Sequence, residues 1–387
     1  MAMLSSCIGY FFFYVIFLCS IFLRTSASTA TSALFIFGDS SVDAGNNNYI
    51  NTIPENRADI KPYGQNGFFK APTGRFSDGR VIVDYIAQYA KLPLIPPFLQ
   101  PSADYSYGAN FASGGGGVLP ETNQGLVIDL PTQLKNFEEV QKSLREKLGE
   151  AKAREIIAEA VYFISIGSKD YLGGYLGNPK MQEIYIPEVY VGMVIGNLTN
   201  AIQALYEKGA RKFAFLSLCP LGCLPIMRAI NPTASEDGCF EAASSLALAH
   251  NNALKAVLIS LEHLLKGFKY SSSNFYNWLS DRIQSPSKYG FKDGVSACCG
   301  NGPYGGIFTC GGNKKDVGHF NLCDDANEHV WWDSFHPTER IHEQFAQTLW
   351  NGPPFYVGPC NLEDLFFNGE KLTIADIVDA PDGDNFQ

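Results

Sequence analysis

Short apolar runs, each stopped by a glycine or a small polar cluster, alternate along the chain with longer segments of helical periodicity. Ala33 to Phe37 is apolar, aromatic and β-branched and ends at Gly38, the pattern of a short buried strand. Ala160 to Ile166 repeats that pattern and stops at Gly167-Ser168-Lys169-Asp170. Lys212 to Leu218 is a third such strand, and Phe268 to Tyr276 a fourth. Between them, Val81, Ile82, Tyr85, Ile86 and Tyr89 fall on one helical face. Leu130 to Glu159 reads as helix in two pieces broken near Gly149. Further helices are expected over Val189–Lys208, closed by Gly209, over Ser244–Leu265, and over Thr338–Trp350 with Pro337 at its first turn. Strands alternating with helices predict a parallel α/β sheet with helices on both faces. No repeat or linker interrupts residues 33–365, which read as a single domain followed by a tail over 366–387.

Three segments lack either period. Gly45 to Gly79 is rich in Asn, Gly and Pro and reads as a long surface loop. Leu92 to Pro101 is too proline-rich for regular helix. Gly294 to Cys323 is rich in glycine and cysteine and reads as a stapled loop. The first and last of these are expected to shape a cleft, as loops on a rigid sheet do.

The formal net charge of −10 and the absence of any Lys/Arg run argue against a nucleic-acid partner. With 28 phenylalanines and 19 tyrosines against five methionines, an aromatic core or a ring-lined cleft is expected. Ile8 to Leu23 is almost wholly apolar, Arg24 ends it, and small residues follow, so residues 1–28 read as a secretory signal cut between about Ser26 and Ser32. The plain alternative is an uncleaved anchor, but the run is short for a membrane span. No stable membrane anchor or retention tail is visible at the C-terminus, so the extracellular space is the expected destination, with the vacuole as the other. Eight cysteines remain after such a cut, all in the second half and none in a CxxC pair, which favours disulfides over zinc. Asn197-Leu198-Thr199 is a glycosylation sequon. The sequence assigns no oligomeric state, metal or cofactor.

The candidate chemistry begins at Gly38-Asp39-Ser40, at the carboxyl end of the first strand, where open parallel sheets keep their sites. A serine there attacks an acyl carbon if a histidine base is within reach; the plain alternative is a helix cap. Of the six histidines, His250 and His263 fall inside helical patterns, and His342 lacks the second histidine of a zinc helix. His336 sits in Asp333-Ser334-Phe335-His336-Pro337, so a tight turn can bring the Asp333 carboxylate to its ring. The alternative is that Asp333 or Ser334 caps the last helix. The Ser40 N–H and a glycine N–H from Gly114 or Gly115, in the run after Ser113, are candidate oxyanion donors. There is no G-x-S-x-G elbow, which counts against an ordinary α/β-hydrolase.

In order and spacing, Phe37-Gly38-Asp39-Ser40 with Asp43-Ala44-Gly45-Asn46-Asn47, Asn110-Phe111-Ala112-Ser113-Gly114-Gly115, Gly167-Ser168-Lys169-Asp170 and Asp333-Ser334-Phe335-His336-Pro337 resemble the blocks of the plant secreted branch of the GDSL esterase/lipase family, the SGNH hydrolases. Pro220-Leu221-Gly222-Cys223-Leu224-Pro225 and Ala297-Cys298-Cys299-Gly300 resemble that branch too. The resemblance implies a flavodoxin-like three-layer α/β/α fold, no metal or other cofactor, and a lipid or small-molecule ester as substrate. It makes Ser40 the nucleophile, His336 the base and Asp333 its partner, with Ser40 and Gly114 (Gly115 the alternative) in the oxyanion hole. The family's third block ends Gly-x-Asn-Asp, and that asparagine donates to the oxyanion; Lys169 stands in its place here. Its ammonium either donates in turn or points to solvent and leaves two donors. Hydrolysis through an acyl-enzyme is the expected reaction. Transfer of the acyl group to an alcohol, or a weakened protein kept for binding, are the alternatives that Lys169 raises.

Overall fold

The computed structural model describes residues 33–231, 238–311 and 320–368. The segment read as a signal, residues 1–28, lies outside these, as do His319 and the chain from residue 369 on. Strands β1 (Leu34–Gly38), β2 (Gly108–Asn110), β3 (Val161–Ser165), β4 (Lys212–Phe215), β5 (Lys269–Ser273) and β6 (Val357–Pro359) form one sheet in the order β6-β5-β4-β3-β1-β2. All neighbours are parallel except β6, which runs antiparallel to β5 at the edge. The first five strands follow the flavodoxin-like order, in which the sheet changes direction between β1 and β3. A crevice opens beyond the carboxyl ends of those two strands.

The helices are α1 (Ile82–Tyr89), α2 (Leu130–Leu148), α3 (Glu150–Glu159), α4 (Pro187–Glu207), α5 (Glu241–Leu264), α6 (Phe275–Gln284) and α7 (Glu339–Asn351), besides shorter turns. One layer packs α4 between α2 and α5; the other pairs α1 with α7. The Phe275 and Trp278 rings of α6 lie 4.5 and 4.6 Å from Phe345 of α7 and join it to this second layer. Period-two alternation in β1 sends Phe35 and Phe37 toward α2, where their centroids lie 5.1 and 5.9 Å from Phe137. Phe111 and Tyr162 complete this aromatic cluster, and all five rings are buried. The aromatic composition thus serves the core.

Several sequence expectations need correction. The third strand stops at Phe215, because side chains replace the ladder beyond it: Ser217 N–H donates to Ser273 Oγ and Leu218 N–H to Asn251 Oδ1. The fourth strand ends at Ser273, and Asn274 caps α6 by accepting from Asn277 N–H, so Phe275 and Tyr276 are helical. The Gly45–Gly79 segment is a surface loop only in part: Gln65, Asn66, Gly67, Phe68, Lys70 and Ala71 are exposed, but its two ends turn inward. Asn46, Asn47, Arg75 and Asp78 within it are buried, and internal bonds meet their needs. Asn46 Nδ2 donates to the Asn110 and Ala112 carbonyls, and Arg75 pairs with Asp84 at 2.7 Å. The tail does not begin at residue 366, since Phe366 is buried with its ring 5.7 Å from that of Trp350. Six cysteines pair as Cys223–Cys239, Cys298–Cys323 and Cys299–Cys310, so the stapled-loop reading holds for Gly294–Cys323.

The end of β1 is clamped by Gln133 of α2. Gly38 N–H donates to Gln133 Oε1 at 2.9 Å, and Gln133 Nε2 donates back to the Gly38 carbonyl at 2.8 Å and to the Ile128 carbonyl at 2.9 Å. A side chain at residue 38 is excluded, because its Cβ would fall 2.3 Å from the Ser165 carbonyl. Gln133→Leu keeps the volume but strands the buried Gly38 N–H. It is expected to cost about 2–4 kcal/mol in denaturant-unfolding free energy. An unchanged midpoint would show that Gly38 is held without it.

Candidate active site

Past Gly38 the chain turns sharply, and Asp39 fixes the turn. Its Oδ1 accepts from Ser41 N–H at 3.0 Å and Ser41 Oγ at 2.7 Å, and its Oδ2 from Ser168 Oγ at 2.7 Å. Ser40 stands at the apex with its Oγ 2.8 Å from His336 Nε2. The other ring nitrogen, Nδ1, lies 2.8 Å from Asp333 Oδ1. A carboxylate only accepts, so Nδ1 carries the proton and Nε2 is free to receive one from Ser40. Asp333 also accepts from the Phe335 and His336 N–H groups, both at 2.8 Å, and from Tyr63 Oη at 2.8 Å. Burial pushes the Asp333 carboxyl up, but the His336 charge and these hydrogen bonds outweigh it and hold its pKa at about 2. The turn holding Asp333 is tied to the stapled segment, because the Cys298 and Cys299 N–H groups donate to the Trp331 and Trp332 carbonyls.

The glycine run after β2 crosses the end of β1, where Ser113 N–H donates to the Gly38 carbonyl. Gly114 N–H, the first choice from sequence as an oxyanion donor, is engaged by Asp43 Oδ2 at 2.9 Å. Among the described residues, no acceptor is recorded for Gly115 N–H or for Ser40 N–H. After β3, Asp170 accepts from the Val118 and Leu119 N–H groups and from Thr122 Oγ1, bracing the far side of the glycine run. Lys169 does not turn to solvent: its Nζ lies 3.9 Å above the Phe335 ring. Burial lowers its pKa, against the opposing fields of Asp39 and Asp333.

A family model described as GDSL-like lipase/acylhydrolase matches residues 34–349. The chain belongs to this family. It is 46% identical over 373 residues to GDSL esterase/lipase 5 of Arabidopsis thaliana, covering 93% of this chain and 96% of that one. It is likewise 46% identical to GDSL esterase/lipase 1 of the same plant over 341 residues, 87% of this chain and 91% of the other. A GDSL lipase of Tanacetum cinerariifolium is 45% identical over 340 residues, 88% of this chain and 89% of its own. Membership makes the chain a carboxylic ester hydrolase. Within the family signature, Ser41 takes the place of the final leucine, and its Oγ lies 2.7 Å from Ser165 Oγ at the end of β3.

Ser40, Lys169 and His336 line one cavity, with about 640 Å³ of unfilled space counting its open mouth. Its walls come from the segments after β1, β3 and β4, from Trp331 and Phe335–Pro337, and from α1, α6 and α7. Among the described residues, neither Gly45–Gly79 nor Gly294–Cys323 contributes a lining residue; their described contacts to the site run through Tyr63 and the Trp331–Trp332 segment. Cys219 lines the cavity as a thiol outside the three bridges, with its pKa raised by burial to about 12. No cluster of metal-ligating side chains occurs among the described residues. Tyr63 and Phe76, whose ring is 4.8 Å from that of His336, carry no local sequence signal for their contacts. Asn197 stands exposed on α4 with its Nδ2 donating to the Met193 carbonyl.

The turn that presents Lys169 rests on His250. Gly167 leaves room for that ring, since a Cβ there would lie 3.0 Å from its Cε1, and Tyr171 Oη lies 2.9 Å from its Nδ1. Burial lowers the His250 pKa to about 3. The unfolded chain therefore binds a proton below pH about 6.5 that the folded one refuses, and stability is lost as pH falls from there toward 3. Between pH 8 and 5, wild type is expected to lose about 2 kcal/mol more unfolding free energy than His250→Gln. Parallel pH profiles from denaturant titrations would refute a buried neutral ring.

Proposed function

We propose that this esterase/lipase cleaves its substrate through an acyl-enzyme on Ser40. The observation that carries the reading is the unbroken chain Ser40 Oγ–His336 Nε2–His336 Nδ1–Asp333, with both contacts at 2.8 Å. His336 Nε2 takes the Ser40 proton as Oγ bonds to the ester carbonyl carbon, and the carbonyl electron pair moves onto oxygen. Asp333 stabilises the imidazolium. As the tetrahedral species collapses, the alcohol leaves with the proton from Nε2, and the acyl group remains on Ser40. Water then attacks with His336 again as base, and the acid is released.

For the oxyanion, the unengaged N–H groups of Ser40 and Gly115 are the backbone donors, while Gly114 braces the loop through Asp43. Lys169 Nζ supplies the third donor, since it lines the same cavity and makes no recorded hydrogen bond among the described residues. Ser40, His336 and Lys169 facing one cavity favour turnover over a binding-only protein. Small lipid esters or acylated metabolites suit the mainly apolar walls. Residues 1–28 act as an export signal ahead of one domain, and a chain with three disulfides suits the extracellular space or vacuole. Asn197, exposed, is open to glycosylation there. No described helix is long and apolar enough to cross a membrane.

Ser40→Ala is expected to lower kcat for a short p-nitrophenyl ester by at least about a thousandfold. Lys169→Met is expected to lower kcat by on the order of 10²-fold with KM little changed, and Lys169→Asn to recover much of that loss. Equal turnover by wild type and Ser40→Ala would sink the mechanism. Equal turnover by wild type and Lys169→Met would leave the oxyanion to the two backbone donors.

A further inference from the structure

Behind Ser40 the cavity continues between the sheet and helices α6 and α7, with Ile82, Leu216, Phe275, Leu279, Ile341 and Phe345 in its walls. The polar lining groups Asp39, Ser41, Ser168, Lys169 and His336 belong to the turns around Ser40, and the Cys219 thiol to the segment after β4. His342 is different. It lies on α7 between Ile341 and Phe345, lines the same cavity, and is only 5% exposed. Its Nε2 is buried with no hydrogen-bond partner. A buried ring nitrogen left unpaired is costly and rare in native proteins, so it asks for a reason. Burial, helped by the nearby His336 and opposed by Asp84, lowers the His342 pKa to about 3. The ring is therefore neutral, with one nitrogen that donates and one that accepts.

During the proposed two-step reaction the alcohol must leave and water must enter, both by the mouth. The group that stays on Ser40 is the acyl chain, and the apolar part of the cavity along α6 and α7 is the space that suits it. We propose that His342 selects esters whose acyl chain carries a hydrogen-bonding oxygen, as hydroxyl, ketone or ether, at the point where the chain passes α7. This rests on the reading that Ser40 holds the acyl group. On the α6–α7 side, an unpaired imidazole nitrogen among Phe275, Leu279, Ile341 and Phe345 rewards an oxygen at its own depth and penalises it against the hydrocarbon on either side. A site built to hydrogen-bond its ligand discriminates strongly against the analogue that lacks the partner.

The test is a set of p-nitrophenyl esters of one chain length, in which a single methylene is replaced by an ether oxygen or a carbonyl at successive positions. For wild type, kcat/KM relative to the plain ester is expected to peak at one position, by about tenfold or more. His342→Leu is expected to erase the peak, and His342→Gln, which keeps a donor and an acceptor, to restore part of it. A flat profile in wild type, or the same peak in His342→Leu, would overturn the proposal. Calorimetric binding of the matching free acids to Ser40→Ala reads the same preference without turnover. Residual hydrolysis by Ser40→Ala would thus count against the nucleophile, while the binding ratio, lost or kept in the Ser40→Ala/His342→Leu double variant, decides the role of His342.

Discussion

A buried negative charge at Asp333 is the constraint on which the rest of the site depends. A carboxylate taken out of water costs several kcal/mol unless its lone pairs are filled. Here four donors fill them: His336 Nδ1, two backbone N–H groups of its own turn, and the Tyr63 hydroxyl. Three of these lie within three residues of Asp333, so the turn is made to close. Tyr63 is not local, and its demand explains why the Gly45–Gly79 segment is packed inward with its polar groups paired. The stapled segment holds the other side through the Trp331 and Trp332 carbonyls. His336 then has one orientation that satisfies Asp333, and that orientation points Nε2 at Ser40.

The remaining aspartates of the sequence blocks act as ties between loops. Asp39 joins the turn after β1 to the turn after β3 through Ser168. Asp43 joins the segment after β1 to the run after β2 through Gly114. Asp170 joins the turn after β3 to that same run through Val118, Leu119 and Thr122. Three cross-links close a triangle over three strand ends. Burial raises the pKa of Asp43 and Asp170 to about 6, against the N–H bonds that favour the charged forms. The strand ends are thus rigid because they are joined to one another, and the donors left over, at Ser40 and Gly115, are held in place.

This division explains what could be read from the sequence. The apolar runs ending at Gly38 and Gly167 marked β1 and β3 because fully buried parallel strands are uniformly apolar. The Ser40–His336–Asp333 grouping was legible because Asp333 and His336 meet in a local turn and Ser40 follows a strand. What was not legible depends on contacts distant in sequence. Tyr63 is 270 residues from its partner, and nothing around it marks the hydroxyl as a donor. That the Gly114 N–H is taken while the Gly115 N–H is not depends on Asp43, 71 residues away from Gly114. The early end of β4 turned on Ser273 and Asn251 capturing backbone groups that the apolar pattern assigned to a strand.

Lys169 is where the energetics and the proposed chemistry meet. Its cation–π contact with Phe335 is worth about 2 kcal/mol when desolvated, less than the several kcal/mol that burial of an ammonium costs. The balance comes from the fields of Asp39 and Asp333, which leave the pKa lowered rather than restored. The resting cavity therefore holds a cation that is incompletely paired. In the proposed reaction, as the ester oxygen takes up negative charge, that cation gains its missing counter-charge, and the gain is absent with the neutral ester. An interaction stronger in the transition state than in the ground state is the kind that raises kcat. A neutral amide at residue 169 would sit more comfortably at rest and gain less on the way up, so under the proposed mechanism lysine trades ground-state comfort for electrostatic pull at the oxyanion.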